Sequence, residues 1–186
     1  MADGKSYYEV QMVGWGGQGL VSAARILAQA AGIYDGKNVT QTEHHGISQR
    51  GGLSETEVII SDEEIDFPYV SHPDLLLALT QKECVGYMPA LKDGGILLVD
   101  SYKITDLPET TARVYRLPLT QIAREAGSEL ATNMVALAMI SFLSGAVSLQ
   151  ALEKTVEERM PPRMKDVNLK ALKAGWEAAE KAKTGG

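Results

Sequence analysis

Val13-Gly14-Trp15-Gly16-Gly17-Gln18-Gly19-Leu20 is the stretch on which the reading of this chain turns. Ahead of it, Glu9-Val10-Gln11-Met12-Val13 reads as a short buried strand. Behind it, Leu20, Ala23, Ala24, Leu27 and Ala31 are apolar at helical spacing. Gly14, Gly16, Gly17 and Gly19 therefore sit on a strand-to-helix turn, the context that a G-x-G-x-x-G pattern needs before it carries meaning. Glycine permits a tight turn and a close approach by ligand or backbone. The helix that follows offers free N–H groups and a positive dipole end, which suit a phosphate or carboxylate. The same glycines also suit a turn that only packs the first strand against its helix.

A dinucleotide site requires, in addition, an acid at the tip of the second strand to hold the ribose. The expected second strand, Asn38-Val39-Thr40-Gln41-Thr42, carries Gln41 at its tip. Glu43 comes late and is followed by His44-His45-Gly46. Binding of NAD or FAD is therefore disfavoured.

The 186 residues suffice for one ordinary domain, 1–186, with a real core. With 45% apolar and 23% charged residues the composition is that of a soluble globular protein. A net charge of −6 argues against a nucleic-acid surface, since phosphates call for a basic face. No apolar run reaches the roughly 18–20 residues of a membrane span, and Met-Ala-Asp-Gly-Lys-Ser lacks a signal-peptide core. A cytoplasmic location is expected. The single cysteine, Cys84, makes no internal disulfide and cannot supply a cysteine-ligated cluster. It reads as a small packed residue. Adjacent His44 and His45, with His72 distant in sequence, do not make a metal set, and no metal is expected.

Glu43-His44-His45-Gly46-Ile47-Ser48-Gln49-Arg50-Gly51-Gly52 is polar and punctuated by glycine. It has little to build a core with, and is expected to lie beside the first glycine turn. Arg50 suits bidentate capture of a carboxylate or phosphate, or an acidic neighbouring subunit. Leu53 to Ile60 reads as a strand with one solvated or interfacial face, and Ile65 to Tyr69 as a short segment stopped by Pro68. Leu75 to Leu79 and Ile96 to Val99 read as central parallel strands. Thr80 and Gln81 begin a helix with Val85, Tyr87, Met88 and Leu91 on its apolar side. Arg113 to Leu117 is a later, more polar strand. Helices follow over Leu119–Ala126, Thr132–Ser144 and Leu149–Arg159, the last capped by Ser148. A final helix is expected from Asp166 or Asn168 to about Lys181. The expected fold class is α/β: a three-layer, Rossmann-like, mostly parallel sheet with a C-terminal helical tail. Ligands of such sheets bind beyond the C-terminal strand ends. Those ends carry amides, hydroxyls and Asp100, with no nucleophile–base pair, so no catalytic residue is expected.

Gly14-Trp15-Gly16-Gly17-Gln18-Gly19, then Ser48-Gln49-Arg50-Gly51-Gly52, then Asn133-Met134 resemble the gamma subunit of the 2-oxoacid:ferredoxin oxidoreductases. The resemblance runs from about Tyr8 to Lys181. Asp35 to Thr42 and Ser61 to Asp66 look most like the 2-oxoglutarate branch, while His45 to Arg50 looks more like the indolepyruvate and other branches. The resemblance implies a complex that turns a 2-oxoacid, with 2-oxoglutarate favoured, and CoA into acyl-CoA, CO2 and reduced ferredoxin. It also implies that thiamine diphosphate, Mg and iron–sulfur clusters reside on partner subunits, alpha and beta with delta in larger assemblies. Neither nucleic acid nor membrane is an expected partner. Gly14, Gly16, Gly17, Gln18, Gly19, Ser48, Arg50, Gly51 and Gly52 are the candidate binding residues, toward CoA or toward the thiamine-binding subunit. The competing expectation is a stand-alone, Rossmann-like nucleotide-binding protein or oxidoreductase.

Overall fold

The computed structural model describes residues 6–45 and 52–184. Its elements in order are β1 (Tyr7–Trp15), α1 (Leu20–Gln29), β2 (Asn38–His45), β3 (Leu53–Ser61), β4 (Leu75–Ala78), α2 (Gln81–Tyr87), β5 (Ile96–Asp100), β6 (Arg113–Leu117), α3 (Leu119–Glu125), α4 (Thr132–Ser144), α5 (Leu149–Arg159) and α6 (Pro162–Thr184). They form a six-stranded sheet in the order β2-β3-β1-β4-β5-β6. β1, β4, β5 and β6 pair in parallel. β3 runs against both β1 and β2, so it alone is reversed.

The alternation of side chains along each strand decides what lies on either face. Val10, Met12, Val58, Ile60, Leu75, Leu77, Ile96 and Leu98 project to one side and meet α1, α3, α4, α5 and α6 in the larger core. Val13, Leu76, Ala78, Leu97 and Val99 project to the other and meet Cys84, Met88 and Ile104 in a smaller one. β4 and β5 are apolar throughout because both of their faces are covered. α4 is buried around nearly its whole circumference, from Asn133 to Ser141 and again at Leu143 and Ser144. Ser148 caps α5, its hydroxyl accepting from the Ala151 N–H at 3.1 Å.

Several expectations are corrected. β2 extends to His45 rather than ending at Thr42, because its antiparallel pairing with β3 carries the ladder to Ser54. β3 is not solvated on one face: Ser54 and every residue from Thr56 to Ser61 are buried. Val85 is 43% exposed, so the apolar side of α2 rests on Cys84 instead. α6 begins at Pro162, whose missing N–H and fixed φ suit a first helical position. The C-terminal helices also pack into the main helical layer: Ala171, Leu172 and Ala179 of α6 lie in the larger core.

α6 approaches α4 at Gly175, where a Cβ would lie 2.9 Å from the Val135 Cα and collide with its carbonyl oxygen. Gly175→Ala is expected to destabilise the chain by about 1–3 kcal/mol through overpacking. Gly86, in exposed helix with open space around it, sets the opposite sign: Gly86→Ala is expected to stabilise by up to about 1 kcal/mol. Urea denaturation of both variants checks the pair.

Candidate functional site: the glycine turn and its crevice

The turn between β1 and α1 is held from inside. Gln18 folds back so that its Oε1 accepts the Trp15 N–H at 2.7 Å, while its Nε2 reaches the Leu79 carbonyl at the end of β4 at 3.5 Å. The Gln18 N–H closes the turn onto the Trp15 carbonyl at 3.2 Å. Gly14 is glycine because a Cβ there would meet the Gln18 side chain, with Leu20 and Leu79 at 3.2 and 3.3 Å. Gly17 has φ +99° and nothing within 4 Å of its Cβ position: it needs the backbone conformation, not the space. Gly19 needs both. Its φ is +75°, and a Cβ would strike the Asn133 amide.

Asn133, near the start of α4, donates from Nδ2 to the Gly19 carbonyl at 3.0 Å. That carbonyl also accepts the Ala23 N–H at 3.0 Å, the first bond of α1. Two residues 114 positions apart thus fix the helix start. On the other side, the Gly16 N–H donates to the Gly52 carbonyl at 2.9 Å, and Trp15 stands opposite Leu53 in the sheet. Gly52 is therefore stitched to the glycine turn. Ser48, Arg50 and Gly51 lie outside the described residues.

A cavity of about 160 Å³ opens above Gly17 and Gln18, with Lys103, Thr120 and Thr132 on its walls. It lies at the C-terminal strand ends, where open α/β sheets bind ligands. Asp100, at the end of β5, borders it but is wholly buried. Its carboxylate accepts from the Tyr102 N–H at 3.1 Å, the Thr120 N–H at 3.1 Å and the Thr120 hydroxyl. It pins the start of α3 rather than presenting an acid to solvent. Gln81 has a similar duty: it accepts from the Thr105 and Asp106 N–H groups and donates to the Asp106 carbonyl, bracing the β5–β6 connection. Lys103 had no signal in the sequence pattern, since it sits in that irregular connection. The exposed residues lining the crevice are mixed, Lys103 and Glu129 charged and Leu130 apolar and 81% exposed, and Trp15 beside the turn is 51% exposed. Glu129 at its rim is held below the usual carboxylate range by its hydrogen bond with Arg124, then by the charges of Arg124 and Lys103.

Glu43, the acid that a ribose would require, lies on β2, separated from β1 by the whole of β3. It accepts from Arg25 of α1 at 2.8 and 3.1 Å. The Rossmann placement of that acid is thus missing for a topological reason. Among the described residues no three metal-ligating side chains come together, and no helix is long and apolar enough to cross a membrane.

The site is thus an α/β glycine turn braced by its own side chains and opening on a small crevice. The chain belongs to the pyruvate ferredoxin/flavodoxin oxidoreductase family, whose model matches residues 9–178, and it is of the gamma-subunit type in the 2-oxoacid:ferredoxin oxidoreductases. It is 39% identical to the 2-oxoglutarate synthase subunit KorC of Methanocaldococcus jannaschii over 175 residues, 92% of this chain and 94% of that one. It is 31% identical to the pyruvate synthase subunit PorC of Methanothermobacter thermautotrophicus, over 93% of this chain and 96% of that one. The crystal structure of a keto/oxoacid ferredoxin oxidoreductase gamma subunit from Geobacter sulfurreducens superposes with a TM-score of 0.84 at 42% identity, covering 93% of this chain and 98% of the other. The chain is accordingly one subunit of an oxidoreductase assembled from several.

Gly17→Ala is expected to cost about 1–2 kcal/mol, the strain of positive φ alone. Gly19→Ala is expected to cost more, since Asn133 must also give way; chemical denaturation ranks the two. Cys84 supplies a separate check. Burial pushes its thiol up to about 11, so the native chain at pH 8 should react with a thiol reagent far more slowly than the urea-unfolded chain.

Proposed function

We propose that this chain is the gamma subunit of an enzyme that oxidises 2-oxoglutarate with CoA, yielding succinyl-CoA, CO2 and reduced ferredoxin. The observation that carries the choice of substrate is relative identity: 39% to the 2-oxoglutarate synthase subunit against 31% to the pyruvate synthase subunit, each over nine-tenths of the chain. Thiamine diphosphate, Mg and the iron–sulfur clusters belong in this reading to the alpha and beta subunits, with a delta subunit in larger assemblies. The 186 residues contain one cysteine, where a cluster takes four, and no Gly-Asp-Gly run of the kind that opens a thiamine signature. Ferredoxin meets the complex through those partners, and the assembly works in the cytoplasm. Residues 1–186 act as one gamma-type domain.

The glycine turn serves this complex as a docking edge. Gly14, Gln18 and Gly19 shape it, Gly16 and Gly52 tie it to the neighbouring segment of Ser48, Arg50 and Gly51, and Gly17 with Trp15 faces the thiamine-carrying subunit. Volume favours docking over a self-contained CoA site. The cavity of about 160 Å³ falls below the roughly 300–1,000 Å³ of small-molecule pockets. Any contact with CoA is therefore shared with a partner.

The test is anaerobic co-purification from the native host, followed by dye reduction with CoA and a panel of 2-oxoacids. Brown, thiamine-containing partners and activity with 2-oxoglutarate are expected. Activity confined to pyruvate or an aryl pyruvate would overturn the substrate. A lone colourless chain, from a lysate whose activity survives, would overturn the subunit role.

A further inference from the structure

The sheet face opposite the large helical layer is covered unevenly. α2 and the β5–β6 connection cover β4 and β5 there, but over β1, β2 and β3 the same face is polar. Glu9 and Gln11 of β1 stand opposite Ile59 and Glu57 of β3, and Thr42 and His44 of β2 stand opposite Glu57 and Glu55. Glu9, Gln11 and Glu57 are more than nine-tenths buried.

Among the described residues this layer has too few donors for its acceptors. Lys92 neutralises one end, contacting Glu9 at 2.8 Å and Asp74 at 3.0 Å. No described lysine or arginine does the same at the other end. Among the described residues Glu55 accepts only from neutral groups, the Gln11 amide at 2.7 Å and the Tyr87 hydroxyl at 2.7 Å. Glu57 accepts from the Thr42 hydroxyl at 2.8 Å and the Val70 N–H at 3.3 Å, and Nε2 of His44 stands 4.0 Å from it. No lysine or arginine among the described residues lies within ion-pair distance of either. The deficit also shows in a separate atom: Oε1 of Gln11, buried among these carboxylates, has no hydrogen-bond donor. A buried acceptor without a donor costs about 1–3 kcal/mol, which native proteins seldom leave standing.

Around the floor stand exposed rings. Phe67 is 58% and Tyr69 48% exposed, in edge contact at 5.5 Å, and the His44 ring lies 6.4 Å from Tyr69. Aromatic faces beside carboxylates favour a planar, weakly hydrated cation that both stacks and donates.

We infer that the polar face formed by Gln11, Glu55 and Glu57, rimmed by Phe67 and Tyr69, is a second interface that receives an arginine side chain from another subunit of the same complex. A guanidinium brings five N–H donors in a fixed fork to a face short of donors, and the positive charge that neither carboxylate has. Lysine, a compact and strongly hydrated charge, fits the ring-lined rim less well. The assignment rests on the chain being a subunit of a larger assembly. It does not rest on the glycine turn being a docking edge, because the two surfaces share no residue.

The experiment uses the complete complex, co-expressed with its partner subunits, with this chain as wild type, Glu55→Gln, Glu57→Gln or Glu55→Gln/Glu57→Gln. Glutamine keeps the size and an acceptor for Tyr87 or Thr42 while removing charge. Retention of the chain is read against rising NaCl, and the thermal midpoint of each free chain is read beside it. The double variant is expected to dissociate at least about tenfold more readily at 150 mM salt, the scale of losing a desolvated charge pair, with the free chain no less stable than wild type. Glu55→Lys should be retained less than Glu55→Gln. Unchanged salt profiles in the charge-removing variants, with wild type assembling normally, would overturn the interface. Failure of wild type to retain any partner would instead overturn the subunit reading on which the interface depends.

Discussion

The contact on which this architecture depends joins Nδ2 of Asn133 to the carbonyl of Gly19. It connects the N-terminal turn of the buried helix α4 to the first carbonyl of α1. Through Gly19 it also fixes the glycine turn against the sheet. Gln18 completes the brace from within the turn, spanning β1 and β4. Each glycine then has its own physical reason. Gly14 and Gly19 yield space to these two amides, while Gly17 supplies a backbone angle. The motif that suggests a phosphate cradle is thus largely consumed in bracing a surface. What remains outward is a small crevice and exposed apolar side chains such as Leu130 and, beside the turn, Trp15.

Much of this was legible in the sequence, and for reasons that can be located. β4 and β5 announce themselves as unbroken apolar runs because both sheet faces are covered. α4 and α5 are legible to the residue, α5 through the Ser148 cap and α4 through a run buried on every side. The bond from Gly16 to Gly52 carries the pairing of β1 with β3 one step past Trp15 and Leu53. The reversed strand β3 was the part hardest to read. Its side chains alternate as Ser54, Thr56 and Val58 on one face and Glu55, Glu57 and Ile59 on the other, which suggests solvent on one side. In the fold, the second face buries carboxylates instead, because β1, β2 and the 62–74 segment enclose them. Periodicity reports polarity and not burial, so a buried polar face imitates a wet one.

The start of α6 was misjudged for a simpler reason. Pro161-Pro162 reads as a break, and it is one for the chain before it, but the second proline is also a good first residue of a helix. The dinucleotide reading, disfavoured in the sequence by Gln41 at the tip of the second strand, is disfavoured by topology as well. Inserting β3 between β1 and β2 moves Glu43 one strand too far from the glycine turn and leaves it paired with Arg25. Lys103 and the exposed Leu130 escape any sequence pattern, because irregular connections place them and no periodicity marks their position.

A photoreactive phenylalanine in place of Trp15, half exposed beside the glycine turn, tests the account most directly. The substituted chain is assembled with its partners, irradiated, and the linked product is identified by mass spectrometry. The account predicts a covalent link from position 15 to the thiamine-carrying subunit. An assembled, active complex in which position 15 reacts only with water or with its own chain would contradict it.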